Sequence, residues 1–332
     1  MSAYSVEEQQ RRKRRKRLMQ GLLVGAAAIG VPALANAVIR KRAGKLPETA
    51  SCGKTQHYAW REGDVVFQQL GQGIPILLLH SFGPGHDGNE WRAVAEHLAE
   101  DFAVYVPDLP GWGRSDKPAI AYDGELYIQL LDDFLADVVG KRAVVVAAGL
   151  SAAYAVQLAV DTPERFRCLG LVVPQGIEMH GDEPDLKDAV VHRLLRLPVF
   201  GTSALNLYTS RSGIESHLRN DVLGGSDYVN QDLVEHHYVA SHQPGAHAAL
   251  AAYLAGYLNH SVEDLLPRLD SVPIWLAWGG KATSPALVAA DLWLHLVQAE
   301  LEVFHRCGNL PHLEVPTTFT TALLEFFQAV GE

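Results

Sequence analysis

Asp108-Leu109-Pro110-Gly111-Trp112-Gly113-Arg114-Ser115 stands directly after the apolar run Ala103 to Pro107. That run is one of a series. Short runs rich in β-branched residues recur at Ile74 to His80, Ala143 to Ala147, Leu169 to Val173, Pro273 to Ala277 and Leu301 to Phe304. Amphipathic stretches separate them near Asn89 to Ala99, Gly124 to Val139, Ala152 to Val160, Pro285 to Gln298 and Phe319 to Ala329. Strands alternating with helices of this length predict a mainly parallel sheet with helices on both faces. Upstream, His57 to Trp60 and Val65 to Gln69 flank Gly63-Asp64 and read as a hairpin. Between Gly176 and Pro267 the strand signals stop and helical patterns take over. That insertion is expected to cap the carboxyl edge of the sheet, where ligands bind in such folds.

Five segments in this order carry a family likeness. They are Leu77-Leu78-Leu79-His80-Ser81-Phe82-Gly83, the Asp108 to Ser115 turn, Pro163-Glu164-Arg165-Phe166, Trp278-Gly279-Gly280-Lys281, and Gly308 to Pro316. Over roughly residues 56 to 330 the chain resembles the α/β-hydrolase superfamily, in its capped branch. The resemblance implies an eight-stranded, mainly parallel sheet with a helical cap between strands six and seven. The expected segments are 1–45 (basic N-terminus and membrane anchor or signal), 46–176 (first part of the core), 177–267 (cap) and 268–332 (second part of the core).

In that family the nucleophile ends strand five in a G-x-S-x-G elbow, about 14 residues before the PERV-like proline. Counting back from Pro163, and forward from Arg142, both reach Gly149. A looser match, Gly149-Leu150-Ser151-Ala152-Ala153, would nominate Ser151 instead. The acid position falls on Ala282 and the base position on Asn309, with His312 at the second histidine of the loop. The resemblance thus implies a fold whose nucleophile, acid and base positions hold Gly149, Ala282 and Asn309. An asparagine amide cannot take a serine proton near neutral pH, and alanine cannot orient an imidazole. The backbone amides of Phe82 and Leu150 occupy the oxyanion-donor positions and could hold a carbonyl, with His80 and Ser81 beside them. The expectation is a pseudoenzyme, a non-hydrolytic ligand-binding protein or subunit of a membrane complex. The alternative is an active hydrolase or lyase using residual groups such as Ser151 and His312.

The charge is unevenly placed. Residues 1 to 45 hold 11 of the 28 Lys and Arg with only Glu7 and Glu8 opposing them, leaving 17 basic against 36 acidic residues elsewhere. An acidic body excludes nucleic acid as the expected partner, because phosphate binding needs a basic face. The basic run Arg11 to Arg17 precedes Leu18 to Ile39, in which only Gln20 and Asn36 are polar. Twenty-two such residues at ~1.5 Å each reach across a ~30 Å hydrocarbon core. A single-pass N-terminal anchor is therefore expected, with a cleaved signal peptide as the alternative. The flanking charges favour an extracytoplasmic body. Cys52, Cys168 and Cys307 lack metal or disulfide spacing. His236, His237, His242 and His247 have no Cys, Asp or Glu at ligand spacing, so neither a metal nor a cofactor is expected. Tyr208, Tyr253 and Tyr257 are expected in the core of the cap. The expected ligand is small and apolar or carbonyl-bearing.

Overall fold

The computed structural model describes residues 11, 15, 16, 19, 28–47, 53–177 and 184–331. A hairpin, β1 (Lys54–Trp60) and β2 (Gly63–Leu70), opens the sheet and is followed by β3 (Ile74–Leu79) and β4 (Phe102–Pro107). Then come β5 (Ala143–Ala148), β6 (Phe166–Val172), β7 (Ile274–Gly279) and β8 (Glu300–Phe304). The order across the sheet is β1-β2-β4-β3-β5-β6-β7-β8. Among the described strands, only the β1/β2 and β2/β4 pairs are antiparallel. All six residues of β5 are buried, as a central strand covered on both faces requires.

Helix α1 covers residues 28–43. α2 (Arg92–Leu98), α3 (Gly124–Phe134) and α4 (Ser151–Asp161) connect the first strands. Between β6 and β7 the described residues carry α5 (Leu186–Leu195), α6 (Phe200–Tyr208), α7 (Arg211–His217), α8 (Gln231–Ser241) and α9 (Ala246–Leu254), here called the cap. α10 (Ala289–Leu296), α11 (Pro311–Glu314) and α12 (Pro316–Gly331) complete the fold. Each predicted strand is present to within a few residues. The helix expected over Pro285 to Gln298 is shortened to α10.

Parallel strands place their connecting loops at one edge. β3 and β5 run in register, with Leu79 opposite Ala147, so the chain after each strand emerges side by side. The Asp108 to Ser115 turn locks the loop after β4. Asp108 Oδ1 accepts the Gly88 amide at 2.9 Å and Oδ2 accepts the Arg114 amide at 2.8 Å. Ser115 Oγ donates to the Asp108 carbonyl and accepts the Val66 amide at 2.8 Å. The motif is therefore a structural clasp.

The N-terminal expectation needs correction. Leu18 and residues 20–27 lie outside the described residues. Among the described residues no helix is long and apolar enough to cross a membrane. The described part of α1, residues 28–43, packs on the cap. The Asn36 side chain donates to Val199 O at 3.0 Å and accepts from Asn206 Nδ2 at 2.9 Å and Ser203 Oγ at 3.2 Å. The single-pass anchor, and the orientation derived from it, are overturned. The polar residue read as a tolerated interruption of a span is an anchor to α6.

Candidate active site

A cavity of about 230 Å³ lies at the carboxyl edge of the sheet, roofed by the cap. Its floor comes from the loops after five strands: Ser81, Phe82 and His86 after β3, Gly149 and Leu150 after β5, Val173 and Gln175 after β6, Ser284 after β7, and Asn309 and Leu310 after β8. The roof brings Tyr208, His217, Asp221, Val222 and Tyr253. Tyr208 and Tyr253, expected in the core of the cap, line this cavity. A depression of about 530 Å³ near Leu266 and Phe326 is larger, but it adjoins the start of β7, the edge opposite the loops that bear functional groups.

Gly149 has φ +58° and makes the sharp turn from β5 into α4. A Cβ built there meets only Ser81, at 3.4 Å from its Cβ, an ordinary contact. The turn is strained for other residues, yet the position has room for a side chain. Val173, on the same floor, is a β-branched residue at φ 43°, an uncommon conformation of the kind that gathers at functional sites. Leu150 is the N-cap of α4, so its amide belongs to the group that has no partner within a helix. Phe82, on the neighbouring loop, lines the same cavity as Leu150.

The other residues singled out from the sequence divide clearly. Asn309 lies in the cavity wall, but its side chain is a tie between loops: Oδ1 accepts the Thr283 amide at 3.0 Å and Nδ2 donates to Ser284 O at 2.9 Å. Ala282 sits in the same turn, one residue from Thr283, buried and not on the cavity wall. Ser151 is fully buried, and its Oγ donates to His80 O at 2.6 Å, so it offers no nucleophile to the cavity. His80 is equally enclosed, its Nε2 accepting the Leu109 amide at 3.0 Å. His312 stacks on Trp91 with ring centroids 3.8 Å apart and places Nε2 3.3 Å from Glu90. Neither His80 nor His312 lines the cavity.

Sequence reasoning missed the buried carboxylate behind the floor. Glu90 accepts the Ser81 amide at 2.7 Å and the Ser81 hydroxyl at 2.8 Å, with His86 Nδ1 at 3.2 Å. Burial opposes its charge, but hydrogen bonds from His312 and His86 hold its carboxyl well below the ordinary range. Ser81 Oγ also lies 2.7 Å from His86 Nδ1. Because that hydroxyl donates to Glu90, His86 donates from Nδ1, and its buried Nε2 has no partner among the described residues. The His86/Glu90 spacing of four residues was the available signal.

A second pair sits in the roof. His217 Nδ1 is 3.0 Å from Asp221 Oδ2, across the single π-helical turn Leu218–Val222. Burial and the nearby His86 lower the His217 pKa despite Asp221, so the ring is neutral at pH 7. The cap is held down next to these groups. His236 pairs with the buried Asp87 at 2.9 Å. The ion pair outweighs burial and keeps the Asp87 carboxyl below its usual range. Gly85, at φ +78°, passes so close to α8 that an added Cβ would stand 2.2 Å from the His237 carbonyl oxygen. Among the described residues no group of three His, Cys, Asp or Glu could hold a metal ion.

The family profile described as Alpha/beta hydrolase family matches residues 76–322, and the chain belongs to that family. It is 27% identical over 273 residues to an uncharacterised protein of Mycobacterium tuberculosis (strain ATCC 25618 / H37Rv), covering 78% of this chain and 77% of the relative. It is 25% identical over 264 residues to the 2-hydroxymuconate semialdehyde hydrolase of Pseudomonas sp. (strain CF600), covering 77% and 87%. Among solved structures, a serine hydrolase involved in carbazole degradation superposes with TM-score 0.68 at 20% identity, covering 83% of this chain and 99% of that one. These findings overturn the expectation of a membrane-tethered, non-hydrolytic pseudoenzyme. The relatives with a named activity are hydrolases, and no described helix provides the tether. The inference to inactivity assumed that acid and base can come only from the loops after β7 and β8. The cavity shows ionisable groups arriving from elsewhere.

Proposed function

We propose that the chain is a hydrolase acting on a small carbonyl-bearing substrate held in the cavity between the floor loops and the cap. The observation that carries this reading is that Phe82 and Leu150 line one cavity together with two hydrogen-bonded histidines, His86 and His217. Backbone amides of such loop residues stabilise the negative charge that develops on a carbonyl oxygen during acyl cleavage. The named activities of the family relatives support hydrolysis as the reaction type. In this reading Gly149, Ala282 and Asn309 stand where the family carries nucleophile, acid and base, and Ser151 and His312 play no chemical part. The small volume favours a compact acyl group over a long chain.

The test is a panel of short p-nitrophenyl and phenyl esters with the full chain at pH 7 to 8. Wild type is expected to turn over at least one of them above the blank. Gly149→Phe should fill the cavity and return the rate to background, with an unchanged circular dichroism spectrum showing that the strained turn still folds. Wild-type protein no faster than heat-denatured protein across the panel would remove the reading.

A further inference from the structure

The segment that joins α7 to α8 is fastened to the two loops that ordinarily supply acid and base. Asn309 N donates to Val222 O at 2.6 Å, Thr283 Oγ1 donates to Asp221 O at 2.7 Å, and Lys281 Nζ donates to Gly224 O at 2.8 Å. Glu314 then accepts both the Gly224 and Gly308 amides, at 2.8 and 2.7 Å. Four groups from the β7 and β8 loops and α11 thus hold one cap turn, and Gly308 steadies the Glu314 carboxylate among them. That turn carries the His217 and Asp221 pair. A carboxylate only accepts, so the 3.0 Å contact requires the proton on His217 Nδ1 and leaves Nε2 as a base on a ring that lines the cavity.

We infer that His217, oriented by Asp221, is the catalytic base of this site, supplied by the cap in place of the loop residues, and that it activates water against an ester carbonyl. The inference rests on the hydrolase reading above. His217 Nε2 takes a proton from water as the water oxygen bonds to the carbonyl carbon. The carbonyl electron pair moves onto the oxygen facing the Phe82 and Leu150 amides. When that pair returns, the bond to the leaving oxygen breaks, and the leaving oxygen takes the proton from His217. One ester and one water become one acid and one alcohol, and the base is restored. No covalent enzyme intermediate forms, which accords with glycine at position 149. Asp221 is a positioning residue, and Asn309 and Thr283 position the turn.

The charged and titratable groups facing His217 are His86 from the β3 loop, Asp221 from its own turn, and Tyr208 from α6. Asp221 alone among them raises the His217 pKa, so removing its charge moves the titration down.

The experiment measures kcat/KM against pH on the best ester of the panel, for wild type, His217→Gln and Asp221→Asn. General-base loss typically costs 10²–10⁴-fold. His217→Gln is expected to lose at least about 100-fold with its circular dichroism spectrum unchanged, and Asp221→Asn about 10-fold with its acidic limb shifted to lower pH. Should His217→Gln not fold, the shifted limb of Asp221→Asn carries the test. An active wild type whose His217→Gln rate stays within about threefold, or whose acidic limb ignores Asp221→Asn, overturns the base assignment alone. A silent wild type removes the hydrolase reading itself.

Discussion

Glu90→Gln probes the carboxylate on which the cavity floor rests. Glu90 is buried and takes four contacts: two from Ser81, one from His86 and one from His312. Glutamine keeps the shape, removes the charge and turns one oxygen into an amide donor that faces other donors. Breaking a buried charged network in this way costs about 3–5 kcal/mol. At about 2.1 cal/mol/K of unfolding entropy per residue, each kcal/mol lowers the Tm of a 332-residue chain by roughly 1.4 °C, so a fall of about 4–7 °C is expected at pH 7. The pH dependence sharpens the test. Because the folded carboxyl titrates below its ordinary 4.5, its stabilisation is present above about pH 4.5 and is lost as pH falls through the folded value. Thermal melts of wild type and variant followed from pH 7 to pH 3 should therefore converge on acidification. A drop smaller than about 2 °C at pH 7, or a difference that stays constant with pH, would refute this account of Glu90.

Glu314 should behave in the opposite sense. Burial raises its carboxyl to about 7 against the two backbone amides and Lys281 that favour its charge. An acid raised in the folded state is protonated there while ionised when unfolded, so stability falls as pH rises from about 4.5 to about 7, by up to about 3 kcal/mol. Chemical unfolding across that range should show the slope in wild type and not in Glu314→Gln; equal slopes would discard the assignment. The combination Gly149→Ser, Ala282→Asp and Asn309→His is expected to give an ester-cleaving rate sensitive to fluorophosphonate, which wild type is not. Labelling of wild type at Ser151 would show instead that the elbow register had been misread.

The parallel sheet was legible from residue order because its evidence is local. Buried strands must be short and apolar, as Ala143 to Ala148 is, and intervening helices must be amphipathic. The Asp108 to Ser115 turn was equally legible, since its carboxylate, glycines and serine satisfy one another within a few residues. So were the places of Gly149, Phe82 and Leu150, which follow directly from where β3 and β5 end. The reach of Leu18 to Ile39 was misjudged for the opposite reason. Apolar length can be counted along the chain, but the hydrogen bonds of Asn36 to α6, some 160 residues distant, cannot. The same limit hid the chemistry of the cavity. In the sequence His217 and Asp221, like His86 and Glu90, show only a spacing of four residues. Hydrogen bonding and burial shift the titration of His217 and Glu90, and both depend on which distant segments close over them. Residue order determined the sheet and its turns. Only the packing of the cap onto the β7 and β8 loops decided which ionisable groups face the cavity.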